Sequence, residues 1–276
     1  MPLIIDEKKP SRAVEMRFEV PGAVESVWRA MATGRGIGAW FVPTEVEERV
    51  GGSMRFDFGP GNDSPARVTV WEPPHRFGYV EETWSEGAPP CVTLVEIEPR
   101  ADGQGCAVRM EHRLDTAEAK WDGALKSFEE GWPGYIRVLR IYARDFADQA
   151  AASFRVMMPV SGTVAEAWEI LRAAGGLTTA DVGGAVEIEI DAELRCVGVL
   201  ERRHELPGDG LRDALIKMSS PTPGVMQLFA FSWEGKVQVG LSVIVYGEDA
   251  EATRARDEPR WRAWFDDVTC GVRRDG

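Results

Sequence analysis

Histidine is scarce in this chain and cysteine nearly so, with three and four copies respectively in 276 residues. Cys91, Cys106, Cys196 and Cys270 show no CxxC spacing, and no compact His/Cys cluster accompanies them. That excludes the common zinc ligand sets and a disulfide framework, and the four read as reduced thiols of a cytoplasmic protein. No apolar run approaches the ~20 residues of a membrane span. The start, Met1-Pro2-Leu3-Ile4-Ile5-Asp6, turns charged before the apolar core of a signal peptide can form, so neither membrane insertion nor export is expected. Basic residues are outnumbered. The formal charge is -13, with 18 basic against 25 acidic residues up to position 150 and 14 against 20 after it. Both halves therefore repel phosphate backbones, and nucleic acid is not an expected partner. Also missing are a Ser-His-Asp spacing, a phosphate loop, an HExxH motif and a dinucleotide fingerprint. Gly34-Arg35-Gly36-Ile37-Gly38 lacks the strand-to-helix context such a fingerprint needs, so no cofactor and no metal are expected.

What the chain does have is a long, weak internal repeat and an apolar fraction of 44%, ample for two cores. Phe18-Glu19-Val20, followed by Val24-Glu25-Ser26-Val27-Trp28, recurs as Phe154-Arg155-Val156 followed by Val164-Ala165-Glu166-Ala167-Trp168. Val50-Gly51-Gly52 recurs as Val182-Gly183-Gly184, each a glycine turn feeding a strand that alternates apolar and charged residues. Val68 to His75 resembles Val197 to His204, and Val108 to Leu114 resembles Val237 to Val245. Each half closes on a predicted helix, Ala124 to Phe146 and Glu251 to Val268. Five pairings in one order predict two tandem α+β domains, residues 1–150 and 151–276, with the boundary near Asp148 to Ser153. The copies are unequal: 22 positions separate Trp28 from Val50, but 14 separate Trp168 from Val182. The second copy lacks most of Ile37-Gly38-Ala39-Trp40-Phe41, a loss expected to open one cavity toward the domain junction.

Several of these motifs resemble the START-like (SRPBCC) superfamily and, within it, the heat-shock protein 90 ATPase activator-like branch. They are Val24 to Trp28, Gly51-Gly52, Val70-Trp71-Glu72-Pro73-Pro74-His75-Arg76-Phe77-Gly78-Tyr79, and Glu130-Gly131-Trp132. In the second half Arg202-Arg203 replaces the proline pair and Pro259-Arg260-Trp261 replaces Glu-Gly-Trp, so the likeness there rests on the repeat. The resemblance implies helix-grip domains, each a curved antiparallel sheet packed on a long C-terminal helix. It also implies a cavity between sheet and helix where relatives bind lipids, sterols or polyketides, or catalyse cyclisation and aromatisation. The chain likewise resembles the START proteins of enediyne antibiotic clusters, which raises the expectation of a polyketide ligand.

Strand alternation identifies the expected inner faces. Met54, Phe56 and Phe58 share one face, as do Val108, Met110, His112 and Leu114. On the terminal helix Phe128, Trp132, Tyr135, Ile136 and Leu139 make one stripe, which is core packing unless a ligand reaches it. The expected ligand-binding residues are Trp40, Phe56, Phe58, Trp71, Tyr79, Met110, His112, Trp132 and Tyr135, with Phe231, Trp261 and Trp264 in the second half. Val186, Ile188 and Ile190, then Val237 to Val245, give the second half an inner wall with no ionisable group. His112 is the candidate polar anchor, and the candidate proton carrier should the protein be a cofactor-free polyketide cyclase or aromatase. His75 and His204 are expected in exposed turns, and Glu81, Glu82 and Glu86 on a solvated face. Binding of an elongated apolar small molecule is the first functional reading, cyclisation the second and a chaperone-binding module the third.

Overall fold

In a computed structural model, which describes residues 4–6, 11–59, 61–233 and 235–272, the chain divides into two units, Met1–Asp148 and Gln149–Gly276. The first contains β1 (Ile4–Asp6), β2 (Ser11–Val20), α1 (Val24–Ala32), α2 (Gly34–Gly38), β3 (Thr44–Val46), β4 (Ser53–Asp57), β5 (Asp63–Glu72), β6 (Arg76–Glu81), β7 (Cys91–Pro99) and β8 (Cys106–Leu114). It ends in α3 (Asp122–Ile141), which runs on into a π-helical turn over Tyr142–Phe146. The second contains β9 (Ala151–Val160), α4 (Val164–Ala174), β10 (Ala185–Glu189), β11 (Arg195–Glu205), β12 (Arg212–Ser220), β13 (Gly224–Trp233), β14 (Lys236–Tyr246) and α5 (Ala250–Thr269). Both sheets are antiparallel, in the orders β1-β2-β8-β7-β6-β5-β4-β3 and β10-β11-β12-β13-β14-β9. Read from β2 and from β9 the order is the same, so the two units are two copies of one α+β fold.

Alternation builds the strands: β8 reads buried, then exposed or half-buried, through all nine of its residues, with Cys106, Val108, Met110, His112 and Leu114 buried. The glycine turns are alike in detail. Gly51 and Gly183 both have positive φ (78° and 89°), which favours glycine over any residue with a Cβ. Gly51 N–H donates to the Val68 carbonyl, and Val68 N–H to that of Gly52. Gly183 N–H donates to Leu200, and Leu200 N–H to Gly184.

These bonds correct two of the expected pairings. Val68 corresponds to Leu200, three residues beyond the sequence match, because the glycine-turn bonds set the same spacing from Gly51 to Val68 as from Gly183 to Leu200. In β9 the counterpart of Phe18 is Met158, since Val20 and Val160 each precede by four residues the first residue of the following helix. The shared Phe-x-Val pattern at Phe154 is coincidental. His204 lies within β11 and is half-buried opposite Asp213, while His75 does lie in an exposed turn.

The second unit's core joins Phe154, Trp168, Leu200, Ile216, Met226, Leu241, Trp261 and Phe265 between sheet and helices. Val186, Ile188, Ile190 and the apolar series of β14 belong to it as expected. No described helix is long and apolar enough to cross a membrane.

Candidate functional site

In the first unit, strand register places Val68, Tyr79, Thr93, His112 and Val14 directly opposite one another on five successive strands. Residues in such a row point to one side of the sheet, here the side that meets α3. Three of the five are polar, and all are buried, with Thr93 fully so and His112 at 4% exposure.

Thr93 Oγ1 lies 2.8 Å from His112 Nδ1 and also interacts with the Tyr79 hydroxyl. The other imidazole nitrogen, Nε2, is buried with no hydrogen-bond partner among the described residues. Burial pushes the His112 pKa down to about 3, so the ring is neutral at physiological pH. Leaving one nitrogen of a buried imidazole unpaired costs on the order of 1–3 kcal/mol, and such a site calls for a polar partner from outside the chain.

Aromatic rings enclose this row. Trp132 of α3 stacks on His112 with centroids 5.2 Å apart and planes 17° from parallel, and Phe128 lies 5.2 Å away on the same helix. Trp132 and Tyr135 also pack on Phe41, at 5.2 and 4.7 Å, and Phe41 touches Phe56 and Phe58. Trp40 is anchored beneath by Nε1 donating to the Ala30 carbonyl, and Trp71 packs on Trp28 and Phe77. Met110 is buried beside His112 on β8. The nine expected first-unit residues thus share one interior. Phe41, the ring that links α3 to β4, and Thr93 were not singled out in the sequence. Phe41 is adjacent to Trp40 in the segment that the second copy lacks, which is the signal that points to it.

The rings meet across the space between sheet and helix, so the site is a seam of contacting aromatics. Yet Phe41, Phe58, Trp132, Tyr135 and Phe128 remain half-exposed, unlike a sealed core. At its near end Trp84, Trp121 and Phe128 pack over Cys91, Leu114, Leu125 and Val14, and Arg12 holds Asp122 at the start of α3 at 2.5 Å.

Glu81 departs from expectation. It shares the inner face of β6 with Phe77 and Tyr79, is half-buried, and accepts a 2.6 Å hydrogen bond from Ser64. Burial raises its pKa, partly offset by Ser64. The Glu-Glu dipeptide reads as a solvent face because the strand ends there. Glu82 is exposed, and so is Glu86.

The second unit supplies the comparison. The row equivalent to Val68-Tyr79-Thr93-His112-Val14 is Leu200-Ile216-Met226-Val243-Phe154, apolar throughout and buried. Trp261 and Trp264 face it from α5, packed into its core. Phe231 does not join them: Met226, Leu228 and Ala230 take the inner face of β13, and Phe231 lies on the opposite face against Phe229. The shortened cover does not empty this interior. The hollow between sheet and α5, lined by Phe154, Met218, Val243, Thr253, Asp257 and Trp261, has a volume of about 10 Å³, room for one water. Among the described residues no group of three His, Cys, Asp or Glu side chains is placed to hold a metal ion.

Residues 22–144 match the family described as activator of Hsp90 ATPase homolog 1-like protein. Among solved structures the chain is similar to DynU16 of the dynemicin biosynthetic locus, at 18% identity over 84% of this chain and 86% of that one, with a TM-score of 0.42. It is similar also to CalU16 from Micromonospora echinospora, at 20% identity over 52% and 83%, TM-score 0.42. A third is the di-domain ARO/CYC BexL of the BE-7585A biosynthetic pathway, at 14% identity over 93% and 97%, TM-score 0.43. No curated protein matches the chain. The family match lies within the first domain and the second domain repeats the same strand order, so the chain is a tandem of two α+β domains of one topology, the first of them similar to the activator of Hsp90 ATPase homolog 1-like family.

Proposed function

We propose that the first domain binds an elongated, apolar, conjugated small molecule between its sheet and α3, a polyketide intermediate or product being the class that fits best. The observation that carries this is the buried His112 Nε2, unpartnered inside a wall of half-exposed aromatic rings. Flat conjugated ligands suit that wall because offset and edge-on ring contacts gain free energy beyond their buried area. The equivalent row of the second domain keeps the same fold with no polar residue, so the polar row of the first is not a requirement of folding.

Binding is favoured over cyclisation. A proton acceptor works best with a pKa near the ambient pH, and burial holds His112 at about 3. Thr93 does supply a second polar group within hydrogen-bonding distance, but the rings of Phe128 and Trp132 on either side of the imidazole are apolar and add no further proton relay.

Native mass spectrometry of the full chain purified from its source organism tests the proposal. A discrete conjugated adduct is expected in the wild type and its loss in His112→Val, the residue found at the equivalent position of the second domain. An adduct-free wild type that also shows no tryptophan fluorescence response to conjugated compounds would overturn it.

A further inference from the structure

The inner face of the first sheet carries a second polar group that the apolar-ligand reading leaves unused. Tyr79 and Glu81 are two residues apart on β6, and Tyr79 lies two strands from His112 in the same row. Two strand spacings and two residues along the strand put the Glu81 and His112 backbones about 12 Å apart. Between them Cys91 and Thr93 line the sheet, and the half-exposed rings of Trp84 and Phe128 pack over this stretch, so a ligand spanning the two groups takes its place by parting these rings from the sheet.

Neither anchor is explained by the fold. In the second domain Met218 takes the place of Glu81 and Val243 that of His112, each directly within the matching row. Among the described residues Ser64 is the hydrogen-bond partner of Glu81, and it occupies one carboxyl oxygen. The groups on neighbouring strands are Cys91, whose thiol burial holds protonated, and Leu114.

We propose that Glu81 and His112 are paired anchors, so that the ligand carries a hydroxyl, phenolic or enolic, at both ends of a flat apolar spine. This rests on the reading of the site as a small-molecule site. A hydroxyl both donates and accepts through a single small atom, and it therefore satisfies either tautomer of His112 and either protonation state of Glu81. Burial raises the pKa of Glu81 and so extends the range in which its carboxyl can itself donate. Hydrocarbons such as sterol side chains or acyl tails would leave His112 Nε2 unpaired and Glu81 with Ser64 alone.

The test uses the full chain and three rigid probes, trans-stilbene, 4-hydroxystilbene and 4,4′-dihydroxystilbene, titrated against tryptophan fluorescence. The diphenol is expected to bind about tenfold more tightly than the monophenol, the worth of one buried hydrogen bond. Glu81→Met should abolish that advantage while leaving stilbene unchanged, and Ser64→Ala, which keeps the carboxylate, should reduce it in part. Equal affinity for diphenol and monophenol, or a Glu81→Met loss shared by all three probes, would overturn the paired anchors while leaving the site itself standing. Failure of all three probes to bind would sink the site as well. Circular dichroism of each variant separates a lost anchor from a lost fold.

Discussion

An imidazole kept neutral by burial makes the folded state sensitive to acid. The unfolded chain takes up a proton on His112 near its ordinary pKa of 6.5, whereas the folded chain resists until about 3. Its contribution is therefore intact above pH 6.5 and lost progressively as the pH falls toward 3, by up to about 1.4 kcal/mol per pH unit. Replacing the ring with valine removes that dependence. In urea unfolding between pH 7 and pH 4, His112→Val is expected to gain on the wild type at each lower pH. Parallel curves would mean that His112 takes up its proton in the folded state as readily as in the unfolded one. Much of this was legible: alternation along Val108 to Leu114 put His112 indoors. Its partner Thr93 was not, because hydrogen bonding across strands depends on register, which the sequence of β7 alone does not set. Glu81 was misread for a related reason, as an acidic pair at a strand end looks the same whether its first member points in or out.

The element that closes the site is poorly built as a helix. Within α3, Gly131 and Pro133 interrupt the interior. The proline has no N–H for the Glu129 carbonyl, and glycine adds unfolded-state entropy. N-terminal to this break the helix carries Leu125 and Phe128. C-terminal to it Ile136, Val138, Leu139 and Ile141 are buried. The roof half is thus held by Leu125, by Phe128 against His112, and by the Arg12–Asp122 ion pair. We expect ligand entry to use the break, with the first half of α3 lifting. A Cβ added at Gly131 meets nothing within 4 Å. Gly131→Ala should therefore stabilise the protein by about 0.5–1 kcal/mol in thermal unfolding. It should also slow probe association in stopped-flow fluorescence. Stabilisation with an unchanged association rate would place the entrance elsewhere. The sequence indicated this helix and its inward stripe, but its span is Asp122–Ile141 with a π-helical continuation, since tertiary packing carries it through residues of low helix propensity.

Duplication gives the whole molecule an internal control. The two copies share strand order, glycine-turn bonding and a proline inside the last helix, Pro133 and Pro259, so these features belong to the fold. What differs is chemistry: Tyr79, Thr93, His112 and Glu81 in one, Ile216, Met226, Val243 and Met218 in the other. Glycines and alternating strands survive divergence because they are needed for turns and faces, which is why the repeat could be seen at all. Its alignment slipped by three and four residues where chance matches, Val197 to His204 and the Phe-x-Val at Phe154, outweighed the turn-set spacing. The shortened cover of the second copy read as an opening. Within the second copy Trp168, Trp261 and Phe265 pack into the core, and the hollow beside Phe154, Val243 and Trp261 has a volume of about 10 Å³, as large side chains take up volume that a missing element vacates. One copy carries an apolar row across its inner face while the other carries a polar row, with His112 Nε2 unpaired, under half-exposed rings. It follows that calorimetric titration of the full chain with a conjugated diphenol should give one site per chain. Val243→His in the second domain should create no second site, because its neighbours Met226 and Phe154 offer the new imidazole no hydroxyl. A stoichiometry of two in the wild type would show that the packed interior opens on binding, and that the polar row selects among ligands without being needed to admit one.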